Sequence, residues 1–210
     1  MGLGLALAAA TVLAVLPGGA SAASAQRAVA SPTTTSITSS KNPAVAGDTV
    51  TVRANVFVAN STIPATGTVT FFLNGLPLAS GVAISGGQAT YAWKPPGGTN
   101  TISATYGGSG ITFLGSSGSA PLTVNKGTST VTLTSSGNPV LFGQAVTLTA
   151  TVSAAFEPQG TVTLTGSGLP AATLFGGKAT FTFTRSSAGS TDLTAVYSGD
   201  GNSTARARHR

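Results

Sequence analysis

From Thr34 onward, apolar and hydroxyl-bearing residues alternate with a period of two in short stretches, and helical periodicity is absent there. Such alternation predicts strands with one wet and one buried face. Thr suits the wet face, because its branched Cβ fits a pleated backbone while its hydroxyl meets water; Val, Ile, Phe and Tyr suit the buried one. In the first half of the chain the pattern predicts seven strands, over residues 34–39, 49–58, 67–73, 76–79, 88–93, 101–106 and 120–125. Asn-Pro, Asn-Gly, Gly-Gly and Pro-Pro-Gly-Gly punctuate them. Asn74-Gly75 is the sharpest of these signals, since both residues accept positive φ and the pair predicts a two-residue hairpin. Half-buried sheets must pack face to face, so the expected class is an all-β sandwich. Seven short strands with turn signals every 8 to 12 residues describe an immunoglobulin-like one.

The same text then occurs a second time. Ser39-Ser40-Lys41-Asn42-Pro43 returns as Ser135-Ser136-Gly137-Asn138-Pro139, 96 residues on, and Gly86-Gly87-Gln88-Ala89-Thr90 returns as Gly176-Gly177-Lys178-Ala179-Thr180, 90 residues on. That period is too long for a solenoid unit and suits a small self-contained domain. The expected fold is therefore two tandem immunoglobulin-like β-sandwiches, residues 34–126 and 127–204, with Lys126-Gly127 as a hinge. Asn42 and Pro43, like Asn138 and Pro139, mark the break after the first strand of each copy. The residue before Pro is pushed out of the α region, and Pro has no N–H for a ladder.

These motifs carry a family likeness. The pattern S-x-N-P-x-x-x-G-x-x-V-T at residues 40–51 and 136–147, G-T-V-T at Gly67 and Gly160, and G-G-x-A-T at Gly86 and Gly176 resemble the bacterial Ig-like repeats found in tandem on actinobacterial surface and secreted proteins. The likeness covers roughly residues 32–202, with Tyr197-Ser198-Gly199-Asp200-Gly201-Asn202 as its last element. It implies a secreted or cell-surface module used as a spacer, in adhesion, or appended to an enzyme, without catalysis of its own. Tyr106 and Tyr197, each ending a penultimate strand, resemble tyrosine-corner residues whose hydroxyl bonds to nearby backbone.

The second copy departs from the first at its end. Residues 205–210, Ala-Arg-Ala-Arg-His-Arg, lack large apolar residues and read as a basic tail, so the second sandwich is expected to lack its last strand. Either this stretch is truncated or out-of-frame sequence, or the edge left open takes a strand from another chain.

Composition narrows the function classes. Only 7% of residues are charged, and there is no Cys, which removes disulfides, thiolate metal sites and cysteine nucleophiles. Residues 3–16 form an uncharged apolar run, followed by Ala20-Ser21-Ala22 and Ala23-Ser24-Ala25, and residues 1–25 read as a secretory signal peptide. The run is short for a membrane span, so no transmembrane segment is expected after cleavage; residues 26–33 read as a linker. The net charge is +6, and Arg206, Arg208 and Arg210 supply half of it, which leaves no basic groove for specific nucleic-acid binding.

Candidate chemistry is sparse. The acids are Asp48, Glu157, Asp192 and Asp200, and the single His, His209, sits in the expected tail, so neither a paired-carboxylate nor a Ser-His-Asp arrangement is expected. No cofactor is expected. Asp200 and Asn202 place two oxygen ligands around a turn and are the one weak metal candidate, an Asx-turn being the simpler account. Trp93, the only Trp, is in phase with Tyr91; it is either core or a strand-end aromatic able to stack on sugar. The function expected is a non-catalytic secreted or surface spacer or interaction element. The alternative is a carbohydrate- or cell-wall-binding adhesion module. Its partners would be cell-wall or extracellular polysaccharide or another surface protein.

Overall fold

A computed structural model describes residues 29–209, the last of them by its backbone alone. The expected signal peptide at residues 1–25 lies outside the described residues, as does most of the linker. Among the described residues the structure contains strands and no helix, and so none long and apolar enough to cross a membrane.

The first domain is built from β1 (Thr33–Ser39), β2 (Ala44–Val45), β3 (Val50–Val58), β4 (Thr68–Leu73), β5 (Leu76–Ala83), β6 (Gln88–Trp93), β7 (Gly98–Tyr106) and β8 (Ser116–Asn125). β1-β3-β6 form one sheet and β2-β8-β7-β4-β5 the other. The alternation in the sequence decides what lies between them: Val50, Val52, Ala54 and Val56 of β3 face Val69 and Phe71 of β4, Ile102, Ala104 and Tyr106 of β7, and Leu122 and Val124 of β8. Asn74 and Gly75 both have positive φ, 51° and 82°, as the hairpin between β4 and β5 requires.

The second domain repeats the plan with β9 (Ser129–Ser135), β10 (Ala145–Ala154), β11 (Thr161–Thr165), β12 (Ala172–Thr173), β13 (Lys178–Thr184), β14 (Thr194–Tyr197) and β15 (Arg206–His209). Its sheets are β9-β10-β13 and β12-β11-β14-β15. Its core is Val146, Leu148, Ala150 and Val152 against Val162, Leu164, Leu193, Ala195 and Tyr197.

Two expectations are corrected here. The basic stretch expected as a tail contains a strand: β15 pairs antiparallel with β14, from Thr194↔His209 to Tyr197↔Arg206. A backbone ladder needs only N–H and C=O groups, so the missing apolar alternation did not prevent it. Alternation reports burial, and the described side chains of β15 are all exposed. The closure is nonetheless partial. β8 pairs with β7 over nine positions, from Gly98↔Val124 to Tyr106↔Ser116, and β15 matches only the upper four of them. Among the described residues no counterpart of β2 is present in the second domain's sheets.

Lys126-Gly127 is not a free hinge either. Gly127 N–H donates to the Asn202 carbonyl at 2.7 Å, and its own carbonyl accepts from Thr204 N–H at 2.9 Å. With β8 running to Asn125, only Lys126 lies between the last strand residue of one domain and the first backbone pairing of the next.

Candidate functional site

The residues singled out from sequence fall into three places. The first is the aromatic ladder of the first domain. β6 lies beside β3 with Trp93 opposite Val50 and Tyr91 opposite Val52, and their rings stack in line with Phe71 of the other sheet. Trp93 is half-buried and packs on the core, with its indole N–H buried and without a hydrogen-bond partner. It is thus partly committed to packing, with the remainder of its surface toward solvent. The register places Phe183 opposite Val146, so Phe183 is its counterpart in the second domain.

The second place is the pair of tyrosines. Tyr106 donates its hydroxyl to the Thr66 carbonyl and Tyr197 to the Gln159 carbonyl, both at 2.8 Å. Burial disfavours the ionised form of both and raises their pKa above the ordinary tyrosine value. Tyr197 is pushed up to about 12, first by burial and then by the Asp200 carboxylate beside it.

The third place is the Asp200-Gly201-Asn202 turn, which sits at the junction between domains. Asp200 Oδ1 accepts from the backbone N–H groups of Asn202 and Ser203, and Oδ2 from Gln159 N–H at 2.9 Å. Burial alone would raise its carboxyl, but these backbone donors and the Tyr197 hydroxyl outweigh it and hold it below the usual range. Both carboxylate oxygens thus face N–H dipoles, an environment that favours an anion and offers a cation few oxygens. Among the described residues no group of three or more His, Asp or Glu could hold a metal. Asn202 instead reaches across the junction, where its Oδ1 accepts from Gly97 N–H of the first domain at 2.9 Å.

Sequence reasoning missed the second role of Asn42. Its side-chain amide donates to the Pro121 carbonyl at 2.9 Å and its Oδ1 accepts from Thr123 N–H at 3.0 Å. Asn42 therefore clamps the backbone of the closing strand β8 as well as standing at the break after β1. The repeated Asn-Pro was the available signal, although nothing in it named the segment 79 residues downstream. Asn138, in the same place in the second domain, is exposed, and its side chain makes no hydrogen bond among the described residues.

Comparison with curated proteins finds no match. Among solved structures the chain is similar to the fibronectin(III)-like modules of Clostridium thermocellum CbhA, at 17% identity and TM-score 0.32 over 82% of this chain and 92% of that one. It is also similar to the Yersinia pseudotuberculosis adhesin InvE (15% identity, TM-score 0.44, 84% and 57%). A third likeness is to the mouse nectin-like molecule 4 ectodomain (16% identity, TM-score 0.33, 84% and 62%). The chain thus spans less than two thirds of the latter two, and at these scores none of the three bears on function. The profile of the bacterial Ig-like domain (group 3) matches residues 37–132 and again 133–209. With two matches in tandem over most of its length, coinciding with two sandwiches built on one plan, the chain belongs to the bacterial Ig-like domain family (group 3).

Proposed function

We propose that this chain is a non-catalytic protein working outside the cell or at its surface, where its two Ig-like domains act as a spacer of fixed geometry. The observation that supports this is the junction. A linker that lets two domains swing needs several residues free of contacts. Here one residue separates the paired backbones, and the turn at Asn202 is bonded to Gly97. A Cβ on Gly97 would stand 2.4 Å from the Gly201 carbonyl oxygen, and one on Gly47 would stand 2.5 Å from Ala155 Cβ. Phe156 of the second domain packs on the core of the first. The export expectation rests on the uncharged apolar run at residues 3–16.

The competing role is a carbohydrate- or wall-binding adhesion module using Trp93. The test is co-sedimentation of residues 26–210 with isolated cell walls and insoluble polysaccharides at low and high salt. A spacer shows no saturable retention at high salt; saturable retention that survives salt and is lost on Trp93→Ala transfers the chain to the adhesion class.

A further inference from the structure

The outer face of the β1-β3-β6 sheet departs from its twin in the second domain at positions where the two registers superpose. In the second domain Thr149, Thr151 and Ser153 of β10 form the middle row, flanked by Thr134, Thr132 and Thr130 of β9, an ordinary wet face. Thr132 and Thr134 donate their hydroxyls to the Thr151 and Thr149 carbonyls, at 3.5 and 3.3 Å. In the first domain the same three places hold Arg53, Asn55 and Phe57, and Gln88 lies opposite Asn55 where Lys178 lies opposite Thr151. The side chains of Arg53, Asn55 and Gln88 make no hydrogen bond or ion pair among the described residues, and Phe57 is 60% exposed. The loop after β3 differs as well. Gly67 follows Val58 by nine positions, whereas Gly160 follows Ala154 by six, so the first domain's loop is three residues longer. Its Ser61, Thr62 and Ile63 join Asn55, Phe57 and Gln88 around a shallow cleft of about 200 Å³.

We propose that this face is a binding site for an acidic oligosaccharide, a chain of pyranose units bearing carboxylates, laid along β3 from the Phe57 ring to the Arg53 guanidinium. Each group matches one part of that ligand. The face of an aromatic ring is negative and meets the C–H groups of a pyranose. A side-chain amide offers donors and an acceptor together, as a sugar hydroxyl requires, and Asn55 and Gln88 present two amides side by side. A guanidinium takes a carboxylate through two parallel N–H groups. Arg53 and Phe57 are four residues apart on one strand, about 13 Å, so the two contacts fall on different units and the ligand is an oligomer. Charge agrees: none of the four acids lines the cleft, and the chain carries a net charge of +6. Single-stranded nucleic acid, the other polyanion with stacking surfaces, needs a ring for each of several successive bases, and among the described residues this face has one. The site lies toward the end of β3 away from Gly47 and the junction, and it shares no residue with the Trp93 ladder. It therefore goes beyond the spacer role without depending on it. A contact made through Arg53 is weakened by salt, so retention on walls at high salt and the titration below fail independently.

The test is a titration of the ¹⁵N-labelled chain at low salt with oligosaccharides of galacturonate, of mannuronate and of hyaluronan, beside the neutral maltotriose. Saturable amide shifts centred on residues 53–63 and 86–90 are expected from at least one of the three acidic ligands, with an affinity about tenfold above that for maltotriose. Arg53→Thr and Phe57→Ser install the second domain's own residues at exposed positions, so the melting temperature is expected to stay unchanged. Each weakens the acidic ligand by about tenfold, and Arg53→Thr alone also removes the preference for acidic over neutral sugar. No saturable shift from any of the three, shifts confined to other residues, or unchanged affinity of either variant overturns the proposal. So does an oligothymidylate that gives tighter saturable shifts at the same residues, which reassigns the face to single-stranded nucleic acid.

Discussion

Asn42 and Asn138 occupy the same place in the repeat and have different work. One bonds two backbone groups of a strand and the other bonds none among the described residues. Asn42→Ala is therefore expected to cost the first domain about 1–2 kcal/mol, and Asn138→Ala less than about 0.5 kcal/mol. Trp93 is the only Trp, so its fluorescence during urea unfolding reports the first domain, and circular dichroism reports both. Tyr197 and Asp200 set a pH dependence for the second domain. The folded state keeps Tyr197 protonated toward about 12, above its ordinary value of 10.0, so between these values the unfolded chain has lost a proton that the folded one retains. Stability in that window falls as pH rises. Asp200 has the opposite sign: its folded ionisation lies below the ordinary value, so its contribution is present above that value and is lost as pH falls through the folded one. The first domain has Gly108-Ser109-Gly110 in place of this acid, and its own lowered carboxyl, Asp48, sits in a surface pair with Lys41 that solvent screens, so acid should unfold the second domain first, and Asp200→Ala should remove the pH-dependent part of the difference. Thermal melts at stepped pH check both.

Among the elements, those whose side chains alternate were legible in the sequence nearly to their bounds: residues 88–93 were expected and Gln88–Trp93 is observed. The ends of β7 and β8 were not. Alternation signals the buried Leu122 and Val124, whereas Ser116-Ser117-Gly118-Ser119 has no apolar residue to announce the strand, which exists there because β7 offers it a ladder. Gly118 has a reason visible only in three dimensions: a Cβ there would lie 2.2 Å from the Thr35 carbonyl oxygen, so β8 passes hard against β1. Gly118→Val is expected to destabilise the first domain by about 2–4 kcal/mol, seen as a lower urea midpoint of Trp93 fluorescence. The matching residue of β15 is Arg208, opposite Ala195 as Gly118 is opposite Ala104. The described side chains of β15 are exposed and contribute nothing to the core. β15 escaped notice in the sequence because its ladder is made of backbone alone.

At the scale of the whole molecule, the repeat made the two domains legible and left their junction unread. Gly97 meets Asn202 across 105 residues of sequence, Gly47 meets Ala155 across 108 and Gly127 meets Ala46 across 81, and no local pattern marks a contact made by one backbone on another. Lys-Gly between repeats has the composition of a flexible joint, yet Gly127 is there because a Cβ would stand 2.6 Å from the Ala46 carbonyl oxygen. In the proposed spacer role, a fixed junction would turn two small sandwiches into one element that transmits position. The chain has no Cys, so a pair of spin labels can be placed at will. The most direct measurement is the distance distribution between labels at Thr101→Cys and Thr180→Cys, one exposed strand position in each domain. The junction described here predicts a single narrow distribution, broadened when Gly97→Leu drives a side chain into the Gly201 carbonyl; a broad distribution already present with Gly97 intact would contradict it.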